Sequence, residues 1–249
     1  MSRVAAALFT ILGVSILLPV GGSEVRAAGG FCYYNDRHFV GAQFDPSFNV
    51  HGAKADIQVR NARLCGPNPP YSTFSHASAW SMLTDDTVGG GRAQIGYTHD
   101  TRLNPNLQFF LEKSRTGANH YTRFFGSPSL GDEHEFKVSR GLNDGRIRMY
   151  ICQPDNGQNC QLHFTTDFDP LDYWTGIHAQ FFGETVDQQS DMPGSTNKRA
   201  EFSRIREKDP SGTWVQYQLT QGGPDYYAYH INWLNTYGRF EIWTDPINR

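Results

Sequence analysis

The chain has 249 residues, of which 22 are basic and 25 acidic, for a formal net charge of −3. Such mild acidity, with no run of Lys or Arg, argues against nucleic acid and anionic membranes as partners. Ahead of the folded part, Arg3 precedes an almost continuously apolar stretch from Val4 to Val20, and "SEVRAAGG" follows it. Val25 and Ala27 fit the −3 and −1 positions of a secretory cleavage site. We therefore expect a signal peptide over residues 1–27 and a single secreted domain over 28–249, with no membrane association after cleavage. The apolar span is short for a bilayer crossing, and Gly13 and Pro19 interrupt it. Taking the leader's 27 residues from 249 leaves 222, an ordinary size for one β-sandwich. Losing Arg3, Arg26 and Glu24 leaves 20 basic against 24 acidic residues, or −4.

In chain order, the arm from Ala28 to Asn49 carries Cys32 and is short for a folded pro-domain. "GAKADIQVR" then alternates Ala53, Ala55, Ile57 and Val59 against Lys54, Asp56, Gln58 and Arg60, the period of a strand with one buried face. Cys65 and the turn signature "GPNPP" follow. Two strands come next, around "VGGGR". One face of the first carries His76, Ser78, Trp80 and Met82, and one face of the second carries Gln94, Gly96 and Thr98. "GDEHEF" gathers Asp132, Glu133, His134 and Glu135, which reads as a solvated strand start, because alternation sends neighbours to opposite faces. "RIRMYIC" alternates Ile147, Met149 and Ile151 against Arg148 and Tyr150.

The turn residues of "CQPDNGQNC" suit a hairpin end closed by Cys152–Cys160, which leaves Cys32–Cys65 to tie the arm to the body. No paired C-x-x-C supports zinc, and no metal or cofactor is implied. "GIHAQFFGE" sets His178, Gln180, Phe182 and Glu184 on one face and Ile177, Ala179 and Phe181 on the other. A polar loop, Asp187 to Gly194, leaves its end. "RFEIWT" closes the series with Phe240 and Ile242 against Glu241 and Trp243. No long amphipathic helix is visible. The sum is an all-β, antiparallel β-sandwich or jelly roll, concanavalin-like in outline.

The chemistry starts from absences. There is no H-E-x-x-H, no G-x-S-x-G, no phosphate loop and no dinucleotide fingerprint. What remains is "SAWSMLTDDTVGGGRAQIGY" followed far downstream by "AQFFGET". This combination resembles the glutamic peptidases. The fungal eqolisin type has Ser-Ala-Trp on one strand, an essential Gln before a Gly on the next, and a catalytic Glu ending a later strand. The matching positions are Trp80, Gln94 and Glu184. The plant neprosin type is similar around Phe-Gly-Glu, but has a Glu where Gln94 stands. The mixture is what a divergent relative, of bacterial type, would show. It can be traced as a strand order over roughly Val50 to Ile205. After Trp80 the chain departs from the family pattern, and Asp85 or Asp86 could supply a substrate-side acid.

The resemblance implies a secreted endopeptidase with a Gln94–Glu184 dyad, Trp80, Asp85, Asp86 and Gln180 on substrate, and a polypeptide as partner. One carboxylate can act as base and then acid, while an amide can stabilise a developing oxyanion. An unperturbed Glu titrates near about 4.3, so such an enzyme should work in acid. Gly183 would let substrate approach closely. Two rivals stand beside this reading. A binding sandwich could offer Tyr227, Tyr229 and Trp233 to a glycan. A glycoside hydrolase needs a second carboxylate facing Glu184, for which Glu112 and Glu201 are the candidates. We expect a monomer.

Overall fold

The computed structural model describes residues 37–44, 49–65, 75–85, 90–115, 120–154, 159–172, 174, 176–186, 190–222, 227–235 and 237–245. The expected leader, Cys32 and Asp86 lie outside the described residues. In chain order the strands are β1 His38–Phe44, β2 Gly52–Gln58, β3 His76–Thr84, β4 Arg92–Asp100, β5 Leu107–Ser114, β6 Tyr121–Phe125, β7 Glu133–Arg140 and β8 Ile147–Cys152. They continue with β9 Gln161–Thr165, β10 His178–Thr185, β11 Gly194–Ser195, β12 Lys198–Lys208, β13 Trp214–Val215, β14 Leu219–Gly222, β15 Tyr229–Asn235 and β16 Arg239–Thr244. Among the described residues one short 3-10 turn, Pro170–Asp172, is the only helical element.

The strands form two sheets. One has the order β14-β1-β10-β3-β4-β5-β6, and the other runs β15-β16-β11-β12-β2-β7-β8-β9, with β13 on the side of β12. Among the described residues every pairing is antiparallel except the single bridge from β11 to β16. The chain is a β-sandwich, as the alternation implies. Val40, Ala42, Ala79, Ile95, Tyr97 and Phe181 of the first sheet meet Ile57, Phe136, Val138, Phe202 and Ile242 of the second in one continuous core. The small residues of β2 and β3 sit where the layers meet, and each is essentially without exposure.

Cys152, the last residue of β8, is bonded to Cys160, just before β9. Cys65 is also disulfide-bonded. Glu135 lies close to Cys152 and Cys160, but their sulfurs are joined to each other and offer no thiolate to a metal.

Three sequence expectations need correction. Tyr229 does not face a glycan. It is 1 % exposed, and its hydroxyl donates to the Ser190 carbonyl at 2.9 Å. Trp233 leans on Phe240 of the core, which leaves Tyr227 alone exposed. "GDEHEF" is solvated only at its start, where Asp132 is exposed; Glu135 is buried and receives Lys54 at 2.8 Å. His134 points the other way, edge-on to Phe109, and burial holds its imidazole below the usual range. Gly183, finally, faces the core and not the substrate. A Cβ there would sit 2.3 Å from Ile242 Cδ1 of the opposite sheet.

Candidate active site

Parity and register together build the site on the outer face of the seven-stranded sheet. A complete row crosses all seven strands: Gly222, Gly41, Phe182, Trp80, Gly96, Phe110 and Phe124. Trp80, Met82, Phe110 and Phe182 form a hydrophobic cluster separate from the main core, with Phe39 and Phe124 against it. The Phe182 ring lies over Gly222, where a Cβ would meet its Cζ at 2.4 Å, and a Cβ on Gly96 would meet the Ala79 carbonyl at 2.0 Å. The result is an aromatic ridge with polar positions on either side.

On one side the adjoining row reads Thr220, Gln43, Gln180, Met82, Gln94, Glu112 and Thr122. On the other side it reads Phe39, Glu184, Ser78, Thr98 and Gln108. Trp80 on β3 therefore stands between Glu184 on β10 and Gln94 on β4. The two polar residues occupy diagonally opposite corners around it.

Two cavities open on this surface, of about 490 and 260 Å3, and Arg37, Gln94 and Glu184 line both. The larger adds Trp80, Met82, Phe182, Asp85, Gln180 and Arg92. The smaller adds His76, Ser78, Asp100, Glu112 and Thr122. The structure thus assembles five of the six expected catalytic and substrate-side residues at one junction. The sixth, Asp86, is outside the described residues.

Glu184 is 5 % exposed. Trp80 Nε1 donates to its Oε2 at 3.3 Å, and Arg37 approaches its Oε1 at 3.6 Å. Burial is the largest influence on its pKa and raises it. Arg37, Arg92 and the indole hydrogen bond pull it down, and Glu112 pushes it up. The net direction is upward, so the carboxyl holds its proton more tightly than a free one. The side chain of Gln94, a residue 6 % exposed, has no hydrogen-bond partner among the described residues, so its amide is unspent. Gln180 is committed in part, with its amide donating to Gln43 at 3.2 Å.

No protein-family model and no curated protein sequence matches the chain. Solved structures do. A scytalido-glutamic peptidase with a peptide-based transition-state analogue superposes with a TM-score of 0.55 at 14% identity, over 82% of this chain and 98% of its own. SCP-B, a member of the eqolisin family of peptidases in complex with the tripeptide Ala-Ile-His, gives 0.53 at 13%, over 84% and 98%. The fold is glutamic-peptidase-like. Glycoside hydrolases match at TM-scores of 0.34 to 0.37, too low to bear on the fold.

Within this glutamic-peptidase-like fold, sequence reasoning missed three groups or misjudged them. Arg37 enters from just before β1, and nothing in its local sequence marks it. Arg92 shares the parity of Gln94, two residues on, which was a usable signal. Glu112 does face the groove, directly opposite Gln94 in register. Its oxygens are occupied, however. Arg92 holds Oε1, His120 Nδ1 is 3.4 Å from it, and Thr122 donates to Oε2 at 3.4 Å. Glu201, the other candidate, lies on the second sheet in an ion pair with Arg239.

Proposed function

We propose that the chain is a secreted glutamic-type endopeptidase acting on polypeptides laid across the seven-stranded sheet. One observation carries the reading: a buried carboxylate and an unspent amide flank the same tryptophan and line the same two cavities. Ionised Glu184 takes a proton from water, and the hydroxide oxygen attacks the scissile carbonyl carbon. Gln94 donates an amide N–H to the carbonyl oxygen as it becomes negative. Glu184 then hands its proton to the leaving nitrogen as the C–N bond breaks. Burial raises the pKa of Glu184, which makes it the stronger base for the first transfer, and the acid working range is proposed from the range in which carboxyls titrate. The Gln–Glu pairing favours the eqolisin over the neprosin type. A glycosidase mechanism is disfavoured because Glu112 is bound to Arg92 and does not stand free to meet a glycosidic bond.

The test is digestion of a denatured protein from pH 3 to 7 by the wild type, Glu184→Gln and Gln94→Ala. Cleavage should be confined to the acid side and absent in Glu184→Gln. It should fall by about 10²–10³-fold in Gln94→Ala, as for loss of one oxyanion donor. A wild type that cuts nothing over that range, or variants that cut equally well, would end the proposal. Release of reducing sugar from a β-glucan, lost in Glu112→Gln, would replace it with the glycosidase.

A further inference from the structure

The outer face of the second sheet gathers positive charge that is dispersed in the sequence. Register sets Lys54 beside both Lys137 and Arg206. In the adjoining row stand Lys208, Gly52, Ser139 and Arg148. Like charges directly opposite across a ladder are destabilising. Glu135 answers Lys54, and Asp144 answers Arg148. No carboxylate of the described residues lies within ion-pair distance of Lys137, Arg206 or Lys208.

At the end of these rows, between the β7–β8 turn and β12, lies a polar cleft of about 540 Å3. Its walls hold Arg140, Arg148, Lys208, Ser139, Tyr150 and Asp144. Asp169 holds Arg140 through two of its three guanidinium nitrogens, Nε and Nη2. Asp144 is consumed by Arg148, through contacts of 3.0 and 2.5 Å. Lys208 is different. Its Nζ donates to Ser139 Oγ at 3.2 Å and to the Arg140 carbonyl at 3.1 Å. An ammonium carries three protons, so one N–H is unspent and the cleft is one negative charge short.

Burial, then Arg140 and Arg148, hold Lys208 below the usual lysine range, against a smaller upward pull from Asp209, which is not within ion-pair distance of its ammonium. His51 is bonded through its backbone to both cationic strands, with its N–H to the Lys208 carbonyl at 2.6 Å and its carbonyl to the Arg140 N–H at 2.7 Å. Burial, then Arg140 and Lys208, depress its imidazole, and Asp169 and Asp209 only partly offset them. An anion seated in the cleft would relieve each of these positive contacts.

We infer that this cleft binds a single tetrahedral oxyanion group, a phosphate or sulfate, with Lys208 as its charge partner. The hydroxyl of Ser139 is the neutral donor nearest to hand, since its present bond to the Arg140 carbonyl is a long 3.4 Å. Tyr150 also lines the wall. The volume exceeds one anion, so the group can arrive free or as an ester on a sugar. The site is on the sheet opposite the groove and does not depend on peptidase activity.

Thermal unfolding of the full chain tests it. Potassium phosphate, potassium sulfate and glucose 6-phosphate are titrated against potassium chloride at matched ionic strength. A saturable rise in Tm of several degrees, beyond that in chloride, is expected. In Lys208→Gln half-saturation should move at least tenfold higher, whereas Lys198→Gln, exposed elsewhere on β12, should leave it unchanged. Lys208→Gln removes a repelled cation, so it should fold. Equal shifts in chloride, or equal shifts in Lys208→Gln and wild type, overturn the site. A lower half-saturation for the sugar ester assigns the group to a carbohydrate, and the reverse order assigns it to the free anion.

Discussion

Glu207 should make this protein lose stability as the medium turns from acid to neutral. Its burial follows from a single irregularity in β12. Ala200 and Phe202 point into the core, and simple alternation would send Arg204 and Arg206 after them. A bulge between Ser203 and Arg206, with Arg204 at φ 50°, resets the parity. Ile205 turns inward and both arginines turn out, but Glu207 is carried inward too, opposite Ala53. It is 1 % exposed, and its Oε2 has no partner among the described residues. Burial, then the negative charge of Asp209, pushes its pKa from 4.5 up to about 7.

A carboxyl whose folded value is raised contributes most below its unfolded value, and that contribution is lost as pH climbs to the folded one. Between pH 4.5 and about 7 the folded state holds the extra proton, so stability falls by about 1.4 kcal/mol per pH unit, about 3 kcal/mol in all. His51, His134 and His163 act in the opposite sense. Burial lowers each of them from 6.5, so their contribution is lost as pH falls. The wild-type profile therefore sums opposing slopes, and only a difference isolates Glu207. Glu207→Gln minus wild type, from urea unfolding at pH 4 to 8, should become more positive by about 3 kcal/mol across that window. In a chain of this size that is about 6–12 °C in Tm. Any constant cost of burying the amide cancels in the pH dependence. A difference that stays flat from pH 4 to 8 refutes the reasoning.

Arg37→Met should move the acid limb of kcat/KM to higher pH, because Arg37 is the strongest of the groups that lower Glu184. The effect should shrink with salt, since Arg37 is half exposed. An unmoved limb would detach Glu184 from that limb. Replacing Cys152 and Cys160 by Ala opens a loop with a sequence separation of only 8. By chain entropy this should cost about 2–3 kcal/mol in urea unfolding. Gly96→Ala places a methyl 2.0 Å from the Ala79 carbonyl, a backbone atom that cannot step aside. It should cost about 1–3 kcal/mol and shift tryptophan fluorescence as the Trp80 row is displaced.

Faces were legible in the sequence, and neighbours were not. Period-2 alternation is local, and it placed His178, Gln180, Phe182 and Glu184 together, as it placed Ser78, Trp80 and Met82. The β3–β4 hairpin follows from a short loop. The insertion of β10 between β1 and β3 is a long-range pairing, and only its register sets Glu184 against Ser78. Arg37 and the Arg92–Glu112 pair depend on the same non-local information. So does the cationic face, whose members come from β2, β7, β8 and β12 with no run in any of them. Alternation also misled at its own exceptions. It cannot see the bulge at Arg204, and it cannot tell a strand aromatic on a wet face from one such as Tyr229, which another segment covers.

The register that builds the groove is enforced from the other side of the sheet. Shifting a strand by one residue exchanges its faces. In β3 that exchange would drive Trp80 into the layer now filled by Ala77 and Ala79, both 0 % exposed between the sheets. In β10 it would drive Glu184 toward Ile242 in place of Gly183, whose missing Cβ already leaves that contact tight. Small residues at the layer contact thus admit only the register in which the indole and the carboxylate face outward. The tightness of the core is what holds Trp80 between Glu184 and Gln94. Enlarging Ala79 should therefore damage the groove as well as the fold, although the residue touches no substrate.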